Sequence, residues 1–321
     1  MITNSTNFRL VFFAFLLVGS AAFAQDWPSR PVTVVVPFSA GNGVDLIARA
    51  LSAPMSKRLG QPIVVDDRPG ASSVIGTTLV ANAKPDGHTL LLTAGSIISD
   101  AAVHQRDDPI KEFTPVVLLT TGQNCFIVGP RTSARSVKEV EAIARAYPGK
   151  LFYSSGGAGV VHHLAMALFQ NETGVDVVHV PHKGATNALQ SVAAGLTEMM
   201  ILPVAAAAGA VKAGQVRMLA VLSNHRSKIF PEVPTMPELG YPKVTYESYY
   251  LALAPLGTPR PVVSRLNADF VGSLRELVQE KVLDKFGLEM AGGSPEELSS
   301  LLKTELVKMR KLVADAKIKS D

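Results

Sequence analysis

Between Pro31 and Leu222 the chain alternates short, unbroken runs of Val, Ile and Leu with longer segments of helical periodicity. Unbroken apolar runs are typical of strands buried on both faces, and their alternation with helices predicts parallel sheets covered by helices. The predicted strands are residues 31–37, 62–66, 89–93, 115–119, 124–128, 151–154, 175–180, 198–202 and 217–222. We therefore expect an α/β fold.

The segments between and after these strands predict the helices. They are residues 45–58, 75–83, 137–146, 160–170, 185–194 and 206–213, followed by two C-terminal helices over 261–286 and from 295 to about 317. Ser136, with Glu139 three residues later, has the spacing of a capping box and marks one helix start. Pro54 lies inside the first helix and predicts a kink or break near Ala53.

The first 24 residues have the pattern of a signal peptide. Arg9 precedes an apolar run, and Ala22-Phe23-Ala24 matches the small-residue pattern of a cleavage site. The run of about ten apolar residues is shorter than the roughly 20 that span a membrane. Because the single Cys125 can form no internal disulfide, we expect export to a bacterial periplasm, with a soluble mature chain starting at Gln25.

The length and composition bound the class of protein. A chain of 321 residues fits two domains, and its 47% hydrophobic content supplies a core that a disordered protein lacks. The net charge of +4 is spread along the chain and only 6% of residues are aromatic, which argues against nucleic-acid binding. Crossings near 121–124 and within 246–255 predict a hinge between a discontinuous first lobe, residues 25–123 plus 248–321, and a second lobe, residues 124–247.

Two glycine-rich segments leave predicted strands and enter predicted helices. The first reads PFSAGNGVD (37–45) and the second SSGGAGV (154–160). Glycine lets the backbone approach a ligand closely, and the N–H groups of a helix start favour an anion. Open sheets bind ligands beyond the carboxyl ends of their strands. Two such turns in facing lobes therefore predict a clamp on the two ends of one small acid.

Six motifs follow one another along the chain: residues 31–45, VDDRPGA (65–71), PDGHTLLL (85–92), PGKL (148–151), HVPHKG (179–184) and LAPLGTP (253–259). Together they resemble the Bug family, the periplasmic solute-binding receptors of tripartite tricarboxylate transporters. The resemblance implies a two-lobed type II periplasmic-binding-protein fold with a ligand cleft between the lobes. It also implies a receptor, without catalysis or cofactor, that captures a small carboxylate and delivers it to membrane subunits of a secondary transporter. We expect a monomer.

The chain departs from the family pattern at four positions. Val44 and Val160 stand where Ser or Thr is usual, Leu202 where many members have Asp, and His182 where Tyr precedes Lys-Gly. These changes imply a preference for carboxylates with an apolar or aromatic body over hydroxylated tricarboxylates and amino acids. The predicted ligand-binding residues are Phe38, Ser39, Ala40, Gly41, Asn42, Gly43, Val44, Asp45, Ser155, Gly157, Ala158, Gly159, Val160, His182, Lys183, Gly184 and Leu202.

Other chemistries have weaker support in the sequence. His162, His163, His179 and His182 fall within 21 residues, but the first two lie on different helix faces and no HExxH pattern is present. We therefore predict packing or pocket lining for these histidines and no metal site. Cys125 lies in an apolar strand and is predicted to be buried rather than nucleophilic. An exported enzyme or metal carrier on the same fold is the alternative, which turnover of a ligand would distinguish.

Overall fold

The computed structural model describes residues 27–70, 73–157, 159–316 and 318. Within them the strands are β1 (Val32–Val36), β2 (Ile63–Asp67), β3 (Thr89–Ala94), β4 (Phe113–Val128), β5 (Phe152–Ser155), β6 (Val178–Pro181), β7 (Met199–Pro203), β8 (Arg217–Val221), β9 (Glu247–Pro255) and β10 (Leu288–Gly292). The helices are α1 (Gly43–Leu59), α2 (Val74–Ala81), α3 (Ser96–Val103), α4 (Val137–Ala146), α5 (Val161–Thr173), α6 (Ala185–Ala193), α7 (Val204–Lys212), α8 (Arg260–Gln279), α9 (Val282–Lys285) and α10 (Pro295–Asp315). The expected signal peptide lies outside the described residues.

Strand β4 belongs to two sheets. Up to Gln123 it pairs antiparallel with β9 and β10, and from Asn124 onward it pairs antiparallel with β7 and β8. The first sheet has the order β2-β1-β3-β9-β4, with β1, β2 and β3 parallel to one another. The second continues β4-β7-β5-β6, with β5, β6 and β7 parallel. Each sheet with its helices forms one α/β lobe, as the sequence predicts.

The strand registers fix which edge of each sheet faces the other lobe. Asn124 of β4 pairs with Pro203 at the carboxyl end of β7, and Val128 pairs with Met199 at its start. In the first sheet, Gln123 pairs with Glu247 at the start of β9, and the carboxyl end of β3 lies beside the same part of β9. The carboxyl ends of the parallel strands in both lobes therefore face the boundary at residues 123 and 124.

Helices cover both faces of each sheet. In the first lobe, residues of α1 and α8 pack on one face, and residues of α3 and α10 pack on the other. In the second lobe, α4 and α5 cover one face, and α6 and α7 cover the other. Leu164 and Ala167 of α5 also join the α3–α10 core of the first lobe. The two lobes are therefore packed together through α5.

The predicted strands 115–119 and 124–128 are one continuous strand, so the prediction of a linker at 121–124 is wrong. The polar residues between the two apolar runs keep their backbone groups paired, since Thr121 lies opposite Tyr249 on one side and Glu289 on the other. The second crossing lies where the chain enters β9, and there the side-chain amide of Asn124 donates to the carbonyl of Tyr246, just before the strand, at 2.7 Å. The predicted lobe boundary lies where β4 changes partners.

Three further predictions differ from the structure. Helix α1 runs through Pro54 without a break, although the ring removes one backbone donor. The predicted helix 261–286 ends at Gln279 and is followed by the short α9 and then by β10. Helix α3 was not predicted. Ser136 is confirmed as a helix cap, since the Glu139 N–H donates to its hydroxyl at 3.2 Å. The reciprocal bond of a capping box is not formed, because the Glu139 carboxylate accepts from the Arg135 N–H at 2.8 Å. No helix among the described residues has both the length and the apolar character needed to cross a membrane.

Candidate functional site

Both glycine-rich segments lie at the boundary between the lobes. The first loop, residues 38–42, joins the carboxyl end of β1 to α1, and the second loop, residues 156–160, joins the carboxyl end of β5 to α5. Ser39, Ala40, Gly41 and Asn42 of the first loop are exposed, and Phe38 is half-buried. The structure therefore places the two predicted loops on the same boundary, each at the start of a helix.

Asp45 holds the first loop in shape. The Gly41 N–H donates to its carboxylate at 2.7 Å, and the Arg49 guanidinium pairs with the same carboxylate at 2.6 Å. Arg49 also pairs with Asp67 at 2.8 Å. Burial raises the pKa of Asp45, but the Gly41 hydrogen bond and Arg49 outweigh it, so the pKa lies below its usual value. Asp45 is thus an ionised brace behind the loop.

The start of α1 retains donors that could meet an anion. Asn42 caps the helix by accepting from the Val44 N–H at 2.8 Å. Among the described residues, the N–H groups of Gly43 and Asp45 have no acceptor. The ring of Tyr250 from β9 lies against Gly43, where an added Cβ would be 3.0 Å from the tyrosine hydroxyl. Glycine at 43 therefore leaves room for a phenol hydroxyl beside two free backbone donors.

The second loop is held by side chains of its own lobe. The Ser155 hydroxyl donates to the Gly157 carbonyl at 2.7 Å and accepts from the Gly157 N–H at 3.1 Å. The Gly156 N–H donates to Nδ1 of His162 at 3.3 Å, and the Gly159 N–H donates to Nδ1 of His163 at 3.1 Å. These three glycine donors are thus occupied within the protein, contrary to the expectation that they are free for a ligand.

The remaining two histidines of the predicted cluster support the same loop. Nε2 of His179 lies 2.6 Å from the Ser155 hydroxyl, and the His179 ring stacks on His163 with centroids 4.0 Å apart. Nε2 of His182 lies 3.0 Å from the Ser154 hydroxyl. No group of three or more His, Cys, Asp or Glu among the described residues is arranged to hold a metal ion. The structure uses the cluster to brace a loop.

The tautomers follow from these bonds. Because a backbone N–H is donated to each Nδ1, His162 and His163 must be neutral, with their ring protons on Nε2. Burial lowers the pKa of His162 to about 4, so it stays neutral near pH 7. The Ser155 hydroxyl gives its one proton to Gly157, and His179 is therefore the donor in the pair with Ser155. The loop geometry depends on neutral imidazoles.

The structure corrects two of the predicted contact residues. The side chains of Val44 and Leu202 are 2% and 1% exposed and pack in the apolar cores of their lobes. Neither can meet a ligand without repacking a core, so these two side chains carry no argument about ligand preference. Val160 is half-buried at the N-cap of α5 and makes no capping bond through its side chain.

The other predicted contact residues lie near the second loop. Lys183 and Gly184 are exposed in the turn between β6 and α6, and His182 is half-buried there. Ala158 lies outside the described residues.

Cys125 is fully buried, and its thiol points to the Leu202 carbonyl at 3.4 Å. Burial raises the pKa of that thiol. The prediction that Cys125 is buried packing is confirmed.

The second loop also contacts the opposite lobe. A Cβ added to Gly159 would be 3.2 Å from Val103 of α3, so this loop lies directly against the first lobe.

A separate cavity of about 240 Å³ lies between the lobes elsewhere, and none of the described loop residues line it. It is lined by Gln123, Ser227, Lys228, Ile229, Asp284, Gly287, Leu288 and Glu289. Tyr250, His162, His163 and His179 were not among the predicted contact residues. His162 and His163 lie at N2 and N3 of α5, where a side chain can reach back to the preceding loop.

Comparison with known proteins identifies the relatives of this chain. The sequence profile of the tripartite tricarboxylate transporter family receptor matches residues 47–318. A UPF0065 protein from Pseudomonas sp. (strain P51) is 38% identical over 92% of this chain and 89% of its own length. BugT of Bordetella pertussis is 30% identical over 96% of this chain and 97% of its own.

Solved structures share the fold over nearly the whole chain. Rpa4515 of R. palustris with adipate is 33% identical with a TM-score of 0.80, covering 91% of this chain and 99% of its own. MatC from Rhodopseudomonas palustris with bound malate is 30% identical with a TM-score of 0.78, covering 89% of this chain and 100% of its own.

Proposed function

The chain belongs to the family of Bug-type receptors of tripartite tricarboxylate transporters, and from this membership we propose that it captures a small carboxylate between its lobes and delivers it to membrane transporter subunits. The observation that carries the proposal is the placement of both glycine-rich loops, each at a helix start, on the boundary between the lobes. Helix starts present N–H groups and a positive dipole end to an anion.

The first lobe supplies most of the free donors in this proposal. The N–H groups of Gly43 and Asp45 lie in the first turn of α1, and the hydroxyl of Tyr250 lies against Gly43. The second loop, whose glycine donors are occupied, provides a shaped surface and Lys183 provides positive charge near it. The solved structures of relatives with bound malate and with adipate support a dicarboxylate as the ligand.

We propose that the protein is a binding receptor that catalyses no reaction and that it acts as a monomer in the periplasm. The lobes are residues 25–123 plus 248–321 and residues 124–247. The change of partners of β4 at residues 123 and 124 supports this division. We propose that the ligand contacts come from the predicted residues, except for the side chains of Val44 and Leu202. Within this set, Asp45 and Ser155 support the loops instead of touching the ligand.

A thermal-shift screen against mono-, di-, tri- and aromatic carboxylates tests the proposal. A ligand at 100 times its dissociation constant adds about 2.7 kcal/mol to the free energy of unfolding. We expect a dicarboxylate such as adipate or malate to give the largest shift. No shift with any carboxylate contradicts the receptor proposal. Turnover of a bound acid favours the alternative of an exported enzyme.

Tyr250→Phe provides a sharper test of the site, because it removes only the hydroxyl at the start of α1. We expect this variant to bind adipate about five- to tenfold more weakly, the effect of one lost hydrogen bond. The matched control is Tyr241→Phe, whose hydroxyl bonds to Glu141 inside the second lobe. An equal loss of affinity in both variants would place the ligand elsewhere.

A further inference from the structure

We propose that His162 and His163 are positioning residues of the ligand site, because each accepts an N–H bond from a glycine of the second loop through Nδ1 and so holds the loop in shape for a carboxylate. The inference rests on the proposed function, since it concerns the same site. It assigns a role to two side chains that do not touch the ligand themselves.

The bond geometry shows why these two imidazoles are suited to the role. His162 and His163 occupy the second and third positions of α5, where side chains point back toward the turn that precedes the helix. The acceptors are Nδ1 atoms at 3.3 and 3.1 Å from the nitrogens of Gly156 and Gly159. With φ values of +138° and +69° at Gly157 and Gly159, the loop has a shape that backbone preference alone does not fix.

The two histidines differ in how they respond to acid. His162 is 7% exposed, and its pKa is lowered to about 4, so it keeps its acceptor through mild acid. His163 is half-buried. His179 from β6 and Tyr153 from β5 are in ring contact with it. Burial raises the pKa of Tyr153, which therefore stays neutral.

Protonation of His163 at Nδ1 turns an acceptor into a donor that faces the Gly159 N–H. The bond is then lost and two N–H groups oppose each other. Gly159 is also the point at which the second loop meets Val103 of the first lobe. A proton on Nδ1 therefore loosens the loop at its contact with the opposite lobe, and we expect the affinity for a carboxylate to fall when His163 is protonated.

The test compares substitutions that separate the acceptor from the proton. His163→Asn places a side-chain oxygen near the Nδ1 position and cannot be protonated, whereas His163→Leu removes the acceptor. By calorimetry with adipate at pH 8, we expect the Leu variant to bind about tenfold more weakly than wild type, with the Asn variant between them. On acidification, wild type loses about tenfold in affinity and His163→Asn loses much less.

His162→Asn is the matched control within the same loop. Because His162 does not titrate above about pH 5.5, this variant keeps the acid dependence of wild type. Protonation of adipate itself affects every variant equally and cancels in the comparison. The same acid loss in His163→Asn as in wild type overturns the assignment.

A measurement without ligand keeps the inference separate from the proposed function. In ¹H–¹⁵N spectra, the amide signal of Gly156 should shift in His162→Leu, and that of Gly159 should shift in His163→Leu. The Gly159 signal should also move with pH in wild type and stay in place in His163→Leu. Unmoved glycine signals contradict the brace. Absence of adipate binding by wild type at pH 8, with these signals behaving as expected, contradicts the proposed ligand and leaves the brace standing.

Discussion

Val44 and Val160 occupy similar places in the two loops, but their side chains have different surroundings. Val44 is 2% exposed in the core formed by α1, β1 and β3, whereas Val160 is half-buried at the N-cap of α5. A hydroxyl, which the family pattern has at both positions, would therefore have a different effect at each position. At 160 a hydroxyl can cap a helix, while at 44 it would enter an apolar core.

Single substitutions by threonine separate the two positions. We expect Val160→Thr to raise the free energy of unfolding by up to about 1 kcal/mol, since its hydroxyl can cap the first turn of α5, where the His163 N–H now donates to the Val160 carbonyl at 3.0 Å. Val44→Thr should lower it by about 1 to 3 kcal/mol, because it buries a hydroxyl among apolar neighbours. Urea unfolding of both variants measures the difference. Equal effects of the same sign would contradict the different surroundings.

The burial of His162 makes the stability of the protein depend on pH. Its pKa is lowered from 6.5 to about 4 in the folded protein, so the unfolded chain takes up the proton first as the pH falls. The contribution of His162 to the free energy of unfolding is therefore complete above about pH 6.5. It declines by about 3 kcal/mol in total as the pH falls toward 4. Chemical denaturation at a series of pH values should show this slope. His162→Asn should flatten it, and an unchanged slope would assign it to other groups.

At the scale of single elements, the start of α1 depends on one buried carboxylate. Asp45 joins the backbone of the first loop to Arg49, one helical turn further on. Within this glycine-rich turn the Asn42 N–H donates to the Ser39 carbonyl at 3.2 Å. The Asp45 side chain adds a bond from the helix to the Gly41 N–H.

Substitution of Asp45 should show that transmission. Asp45→Ala removes the acceptor of the Gly41 N–H, and we expect a loss of about 1 to 3 kcal/mol in the free energy of unfolding together with weaker binding of adipate. Asp45→Asn retains an oxygen for Gly41 but loses the charge beside Arg49, and should fall between wild type and the Ala variant. If Asn is as damaging as Ala in both assays, the ion pair rather than the loop bond is the main support.

At the scale of the whole molecule, the lobes are linked both by strands and by packing. β4 crosses between the sheets, and Asn124 binds the segment that enters β9. α5 packs on α3 and α10 of the first lobe, and the second loop meets Val103. Ligand capture between the lobes must therefore work with contacts on both sides of the boundary.

Glycines at the two ends of α5 give a matched pair for testing the lobe contact. Gly159 and Gly174 both have φ of +69°, so an alanine at either position meets the same backbone strain. A Cβ at 159 would lie 3.2 Å from Val103, whereas a Cβ at 174 has no atom within 4 Å. We expect both variants to lose about 1 kcal/mol of stability, and only Gly159→Ala to bind adipate less tightly. Equal affinities of the two variants would show that the Val103 contact is not part of ligand capture.

The sequence by itself determined the features that depend on near neighbours in the chain. The strand and helix alternation and the glycine-rich turns at strand ends follow from local period and turn chemistry, and the structure has them. The Ser136 cap is equally local, because its partner Glu139 lies three residues away. The family resemblance rests on the same local motifs, and it was sufficient to predict two lobes with a loop from each at their boundary.

Only the tertiary structure decided the features that depend on distant partners. β4 is continuous because Thr121 and Gln123 pair with residues more than 100 positions away, which no local pattern reveals. The sequence shows that Val44 and Leu202 are apolar. Whether such a side chain faces a ligand or a core depends on which elements cover it. The histidines show the same limit, since their type and spacing fit a metal site. The fold decides that their ring nitrogens reach the backbone of a glycine loop, because its N–H groups need acceptors once they are turned inward.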